Sequence, residues 1–188
     1  GSGGGWNWGN IRNINYFLDN VDRVEAGGDM RDHYIGEGHF FRAWFYFDLF
    51  KDFGALPIIT VPVTAEDEDI LYGARANRTE VFDFILSDID MAIDKMNYSD
   101  QLATPGTRLS KDIALMFKAR AALFAGTWEK YHQGSVFAGQ TDGSGYIQQA
   151  AAAAKQIMDE GNFSLVQGDT SSVYFELFNQ VDYDQPQR

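Results

Sequence analysis

The chain has 188 residues, room for one compact domain at about 100–200 residues each and no more. Its 15 Lys and Arg against 27 Asp and Glu leave a formal charge of −12, which argues against a nucleic-acid or anionic-lipid partner, because those ligands select clustered cations. A composition of 45% hydrophobic and 15% aromatic residues excludes disorder, and the absence of cysteine removes disulfides, thiolate metal sites and cysteine nucleophiles while leaving the compartment open.

Gly1-Ser2-Gly3-Gly4-Gly5 has the composition of a flexible linker, so residues 1–5 stand outside the fold and 6–188 are read as one domain. No run approaches the ~20 apolar residues of a membrane span, and the aromatic stretch from Phe40 to Phe53 is interrupted by Arg42, Asp48, Lys51 and Asp52. Ile11, Ile14, Leu18 and Val21 recur at three and four residues and predict a helix over 8–25, stopped by Gly27-Gly28. A second helix, 36–53, carries Phe40, Phe41, Trp44, Phe45, Phe47 and Phe50 nearly all round and must be buried, with Gly54 and Pro57 behind it.

The β-branched stretch 56–63 holds Pro57 and Pro62 and reads as an extended connection. Asn77 and Glu80 resemble a capping box, after which Val81, Ile85, Ile89, Ala92 and Met96 line one side of a helix over 79–97, opposite Asp83, Ser87, Asp90 and Asp94. Pro105-Gly106 marks a turn, Ser110 is the expected cap of a helix over 110–126, and Gly126 its expected end. A glycine-rich gap precedes a fifth helix, 146–160, with five alanines at 150–154, closed by Gly161-Asn162. Tyr174, Phe175, Leu177 and Phe178 form an apolar cluster before the polar tail 182–188, so the chain is expected to be part of a longer protein whose core continues elsewhere. The fold class is therefore all-α, built from tetratricopeptide-like helical pairs, 8–25 with 36–53 and 79–97 with 110–126, although no strict 34-residue repeat is present.

Several of these segments resemble, in order, the SusD/RagB family of bacterial outer-membrane nutrient-binding lipoproteins. They are Ile11 to Leu18, Gly36 to Phe50 leading to Phe53-Gly54-Ala55-Leu56-Pro57, Arg78 to Ile89, Thr107 to Phe124, and Gly161 to Leu165 with Leu177-Phe178. The sequence departs from the family at Gly38, where alanine is usual, and at His39, which predicts a looser start to that helix. The resemblance implies a SusD-like helical scaffold at the extracellular face of the outer membrane, lipid-anchored in the full-length protein. It also implies capture of an oligosaccharide, or in some members a peptide, for a SusC-like TonB-dependent transporter, with no catalysis and no cofactor.

The residues themselves carry no nucleophile elbow, phosphate-binding loop, dinucleotide fingerprint or His-Glu-x-x-His motif. His33, His39 and His132 are spaced for structural or solvent roles rather than for a metal. Glu66-Asp67-Glu68-Asp69 lacks the glycine turn and alternating ligands of a calcium loop, so no metal is expected, and the carboxylates on the 79–97 helix read as a solvated face. Glu37 and Arg42, beside a very apolar helix, are expected to form a structural ion pair or helix-end hydrogen bonds, ahead of any ligand role.

Sugar binding calls for an aromatic face with amides nearby. Trp6, Trp8 and Asn10, with Asn7 between the indoles, offer that at the entrance of the first helix, and we take Trp6, Trp8 and Asn10 as the candidate ligand-binding residues. Trp8 lies three residues before Ile11 and so leans toward packing. Trp128, Tyr131, His132 and Phe137 form a second aromatic cluster. The competing class is a helical-repeat scaffold whose only ligand is another protein, and a glycoside hydrolase is the third.

Overall fold

Each apolar stripe in the sequence meets a facing helix in the structure, a computed structural model that describes residues 5–24, 27–103 and 107–160 together with 163, 164, 168, 172 and 175. The turns expected at Pro105-Gly106 and Gly161-Asn162, the linker residues 1–4 and most of the C-terminal cluster and tail lie outside the described residues. The long elements are α1 (Gly9–Asn20), α2 (Gly28–Phe53), α4 (Arg78–Lys95), α5 (Lys111–Tyr131) and α6 (Ser144–Asp159), with one short helix, α3 (Glu68–Leu71), between α2 and α4. Among the described residues there is no strand, and the single β-bridge pairs Leu56 with Ala76. The fold is all-α, as expected.

Neighbouring helices run antiparallel. Leu18 lies against Gly38 and Trp8 against Tyr46, while Met96 lies against Gly36 and Phe82 against Phe50, so α1 and α4 both run opposite to α2. The expected pairs α1 with α2 and α4 with α5 both form, but the most extensive contacts are α2 with α4 and α5 with α6. Aromatic rings fill the centre between them. Phe40, Phe47 and Phe50 of α2 pack on Phe82, Phe117 and Phe124 with ring centroids 5.4–6.4 Å apart, filling the space where α2, α4 and α5 converge.

Boundaries moved where polar residues turned out to be buried. Helix α2 begins at Gly28, eight residues before the expected start at 36, because His33 and Gly36 pack inward on the end of α4. The Asn97 amide donates to His33 Nδ1 at 3.0 Å. Gly27, at φ 141°, is therefore the entrance to α2 rather than the stop of α1, which ends at Asn20 and passes through a 3-10 turn to Arg23. Gly126 does not end α5. It sits inside the helix where a Cβ would lie 2.6 Å from Ile147 Cγ1, so the glycine lets α6 approach and α5 runs on to Tyr131. Likewise Gly38 does not loosen α2: its missing side chain makes room for Phe17 and Leu18 of α1.

Asn77 caps α4 as a capping box, its Oδ1 accepting from the Glu80 amide at 3.0 Å while Glu80 Oε2 accepts from the Asn77 amide at 2.8 Å. Ser110 makes no such cap; its hydroxyl donates to Asp112 Oδ2 at 3.2 Å.

Candidate functional site

The start of α1 and the extended connection after α2 enclose a groove of about 670 Å³. Trp6, Trp8, Arg12 and Asn15 form one side, and Pro57, Ile59, Val61 and Val63 form the other, with Ile70 and Leu71 of α3 closing one end. Trp6 and Trp8 meet edge to face at 5.3 Å. The Trp6 ring also rests on the edge of Phe53 at 4.9 Å, and the Arg75 guanidinium lies 4.9 Å from its centroid. Trp6 keeps 37% of its surface in solvent, whereas Trp8 is half-buried against Tyr46 at 5.8 Å.

Of the residues expected to bind ligand, the structure thus brings Trp6 and Trp8 to one groove. Asn10 is exposed on α1 and does not line it. Asn7 caps the helix, its Oδ1 accepting from the Gly9 amide at 2.9 Å. The amide that faces the groove is Asn15, fully buried, with Nδ2 donating to the carbonyls of Ile59 at 2.8 Å and Val61 at 3.3 Å. Sequence reasoning passed over Asn15, although a polar residue four after Ile11 on the same helical stripe is a signal that a buried partner awaits it.

Behind the groove lies a polar network. Arg42 donates from Nε to Asp88 Oδ2 at 2.7 Å and from Nη2 to Asp88 Oδ1 at 2.8 Å, while Nη1 reaches Asn15 Oδ1 at 3.1 Å and the Thr60 carbonyl at 3.5 Å. His39 Nδ1 sits 2.7 Å from Asp88 Oδ1. Tyr46 completes the set: its hydroxyl accepts from the Ile59 amide at 2.6 Å and lies 3.2 Å from the Pro57 carbonyl and 3.3 Å from that of Ile59. Burial pushes the Tyr46 hydroxyl up to about 12, so it stays protonated and able to donate at neutral pH. Arg42 and Glu37 each form an ion pair with a residue of another element, Arg42 with Asp88 and Glu37 with Arg108 at 3.1 Å, the latter exposed on its arginine side.

The second aromatic cluster is closed by its own packing. The Trp128 ring stacks on His132 at 4.1 Å, lies under the Arg78 guanidinium at 4.3 Å, and donates its Nε1–H to the Phe137 carbonyl at 2.9 Å. Only Tyr131 and Phe137 of that cluster are exposed. The helix carboxylates Asp83, Asp90 and Asp94 are all exposed, Asp83 accepting from the Tyr146 hydroxyl at 2.7 Å and Asp90 from Lys118 at 2.6 Å. In the acidic loop, Asp67 Oδ2 accepts from the Thr64 amide at 2.7 Å and its hydroxyl at 2.8 Å, which holds the Asp67 carboxyl below the usual range.

Residues 6–123 match the SusD-like family described as starch-binding and associating with the outer membrane. A SusD-like protein of Formosa agariphila is 29% identical over 96 residues, covering 51% of this chain and 18% of its own length. Among solved structures, a SusD-like protein of Bacteroides fragilis superposes with a TM-score of 0.63 at 23% identity, over 84% of this chain and 26% of that one. A laminarin-binding SusD-like protein superposes at 0.57 and 22% identity, over 78% and 27%. These likenesses show the same helical fold, and the chain spans about a quarter of the length of the solved relatives.

Proposed function

This chain belongs to the SusD-like family, and on that premise we propose that the groove beside Trp6 and Trp8 binds an oligosaccharide without cleaving it. The observation that carries the reading is the exposed Trp6 indole at the mouth of an apolar groove. The apolar face of a pyranose gains area against such a ring while its hydroxyls remain within reach of water and of Arg12. The family description and the laminarin-binding neighbour support a glucan as the sugar. Asn10, exposed two residues after Trp8, is proposed as an outer contact to sugar hydroxyls. In the cell, the protein would be held at the outer face of the outer membrane by a lipid anchor and would hand the oligosaccharide to a SusC-like TonB-dependent transporter.

Calorimetry of the 188-residue chain with maltohexaose and laminarihexaose tests the reading. Saturable binding of at least one is expected, weakened by about 1–3 kcal/mol in Trp6→Ala, the scale of a lost aromatic contact, with little change in melting temperature. Heat from neither sugar, or unchanged affinity in Trp6→Ala together with a loss of stability, would make Trp6 a packing residue and favour the protein-binding scaffold. A parallel incubation with polysaccharides should release no reducing ends; steady release abolished by one carboxylate substitution would make the protein a hydrolase.

A further inference from the structure

The second wall of the groove, residues 57–63, is an irregular connection with a bend at Val61, and among the described residues no strand lies beside it. Beyond the bridge at Leu56 it forms no backbone ladder with the described residues, and Pro57 and Pro62 lack the N–H groups a ladder would use. A chain in that condition ordinarily takes its hydrogen bonds from water. Here side chains from the helices take that place. Asn15 of α1 donates to the carbonyls of Ile59 and Val61, and the Tyr46 hydroxyl of α2 accepts from the Ile59 amide and faces the Pro57 carbonyl. These groups belong to residues 57, 59 and 61, whose side chains line the groove, and Arg42 Nη1 of α2 reaches the intervening Thr60 carbonyl at 3.5 Å.

Tyr46 also fixes the opposite wall, since its ring carries the edge of Trp8. Asn15 is oriented in turn by Arg42, which Asp88 holds by both oxygens. Resting on the oligosaccharide-binding reading above, we infer that Tyr46 and Asn15 are positioning residues for the groove: they set the spacing between the indole wall and the 57–63 wall from beneath, and Arg42 and Asp88 hold Asn15 to that task. Neither needs to touch the sugar. Their effect is to keep a wall that would otherwise drift in solvent at the distance the ligand requires, so that its ordering is not a cost of binding.

Two substitutions test this, each conserving volume. Tyr46→Phe keeps the ring against Trp8 and Phe84 and removes only the hydroxyl. Asn15→Asp keeps the oxygen facing Arg42 and places a carboxylate oxygen where Nδ2 now donates to the Ile59 carbonyl. Tyr146→Phe is the control, a hydroxyl bonded to Asp83 away from the groove. Both test variants should lose hydrogen-exchange protection at the Ile59 amide and bind maltohexaose or laminarihexaose about tenfold more weakly, the scale of a lost buried hydrogen bond, while Tyr146→Phe binds as the parent does. If protection is lost but both variants bind like the parent while Trp6→Ala still weakens binding, the wall is not part of the site and this inference falls, leaving the glycan reading standing. If weakened binding comes with unchanged protection at Ile59, or is matched by Tyr146→Phe, the effect does not run through the wall and the inference is equally overturned. If the parent binds neither sugar, both fall together.

Discussion

The Arg42 guanidinium lies along the Asp88 carboxylate in two parallel hydrogen bonds of 2.7 and 2.8 Å, and both side chains are buried between α2 and α4. A pair in that position costs desolvation on both sides, and its net contribution is smaller than its geometry suggests. Removing one member is another matter, because the other charge is left without a partner. Asp88→Ala should therefore destabilise the fold by about 3–5 kcal/mol in urea unfolding, while the double change Arg42→Met with Asp88→Leu should recover most of that loss. A single variant no worse than the double would show that water reaches Arg42 and that the pair is not sealed.

Gly126 of α5 and Gly145 of α6 should respond oppositely to alanine. Alanine is favoured over glycine in a helix by about 1 kcal/mol. At Gly145 nothing lies within 4 Å of the added methyl, so Gly145→Ala should stabilise by about 0.5–1 kcal/mol. At Gly126 the methyl would meet Ile147 Cγ1 at 2.6 Å and the Gly143 carbonyl oxygen at 2.8 Å, and the oxygen is backbone that cannot rotate away. Overpacking of that kind costs about 1–3 kcal/mol and exceeds the propensity gain, so Gly126→Ala should lower the melting temperature. Equal stabilisation by both substitutions would mean that α6 can slide along α5.

The capping box at Asn77 gives a local measure of how firmly α4 is set. Asn77→Ala removes the acceptor for the Glu80 amide and leaves Glu80 holding only the backbone of residue 77. A loss of about 1 kcal/mol is expected from equilibrium unfolding, and Asn77→Asp should retain most of the stability because its carboxylate accepts the same bond and suits the helix N-terminus.

Much of this architecture was legible before the structure, for identifiable reasons. The Asn77–Glu80 signature and the apolar spacing from Val81 to Met96 fix α4 because each rests on contacts within a few residues. Gly126 was not legible: glycine ends helices and also admits close neighbours, and only the presence of Ile147 decides between the two. The start of α2 was hidden for a related reason, since residues 28–35 are mostly polar and buried His33 is hydrogen-bonded by the distant Asn97. At the groove, the indoles stood out by type and position. Asn15, Tyr46 and Asp88 did not, and Arg42 showed only as an ion-pair residue, because their value lies in partners 11 to 49 residues away in sequence. Asp88, set between Ile85 and Ile89 on a buried face, was the nearest thing to a visible trace of that network.

Alkaline pH provides a test of Tyr46 that needs no ligand. Burial raises its hydroxyl from 10.0 to about 12 in the folded protein, whereas in the unfolded chain it titrates near the ordinary value. The folded state therefore holds the proton more tightly. Below pH 10 both states are protonated and the group adds no pH dependence; between pH 10 and about 12 the unfolded state releases the proton first, and stability falls as pH rises. Above about 12 the accumulated loss levels off at roughly 2–3 kcal/mol, about 1.4 kcal/mol for each unit of pKa difference. Tyr146, raised in the same direction by burial and by its bond to Asp83, adds to the slope. In urea unfolding followed across this range, Tyr46→Phe should be less stable than the parent at pH 8, for want of the hydroxyl's bonds, yet should lose less stability on going to pH 12. Tyrosinate absorbance of the folded parent should show one hydroxyl fewer titrating near pH 10 than the unfolded chain for each of these residues. Parallel stability curves for parent and variant would mean that the Tyr46 hydroxyl is open to solvent, and with it the underside of the wall it supports.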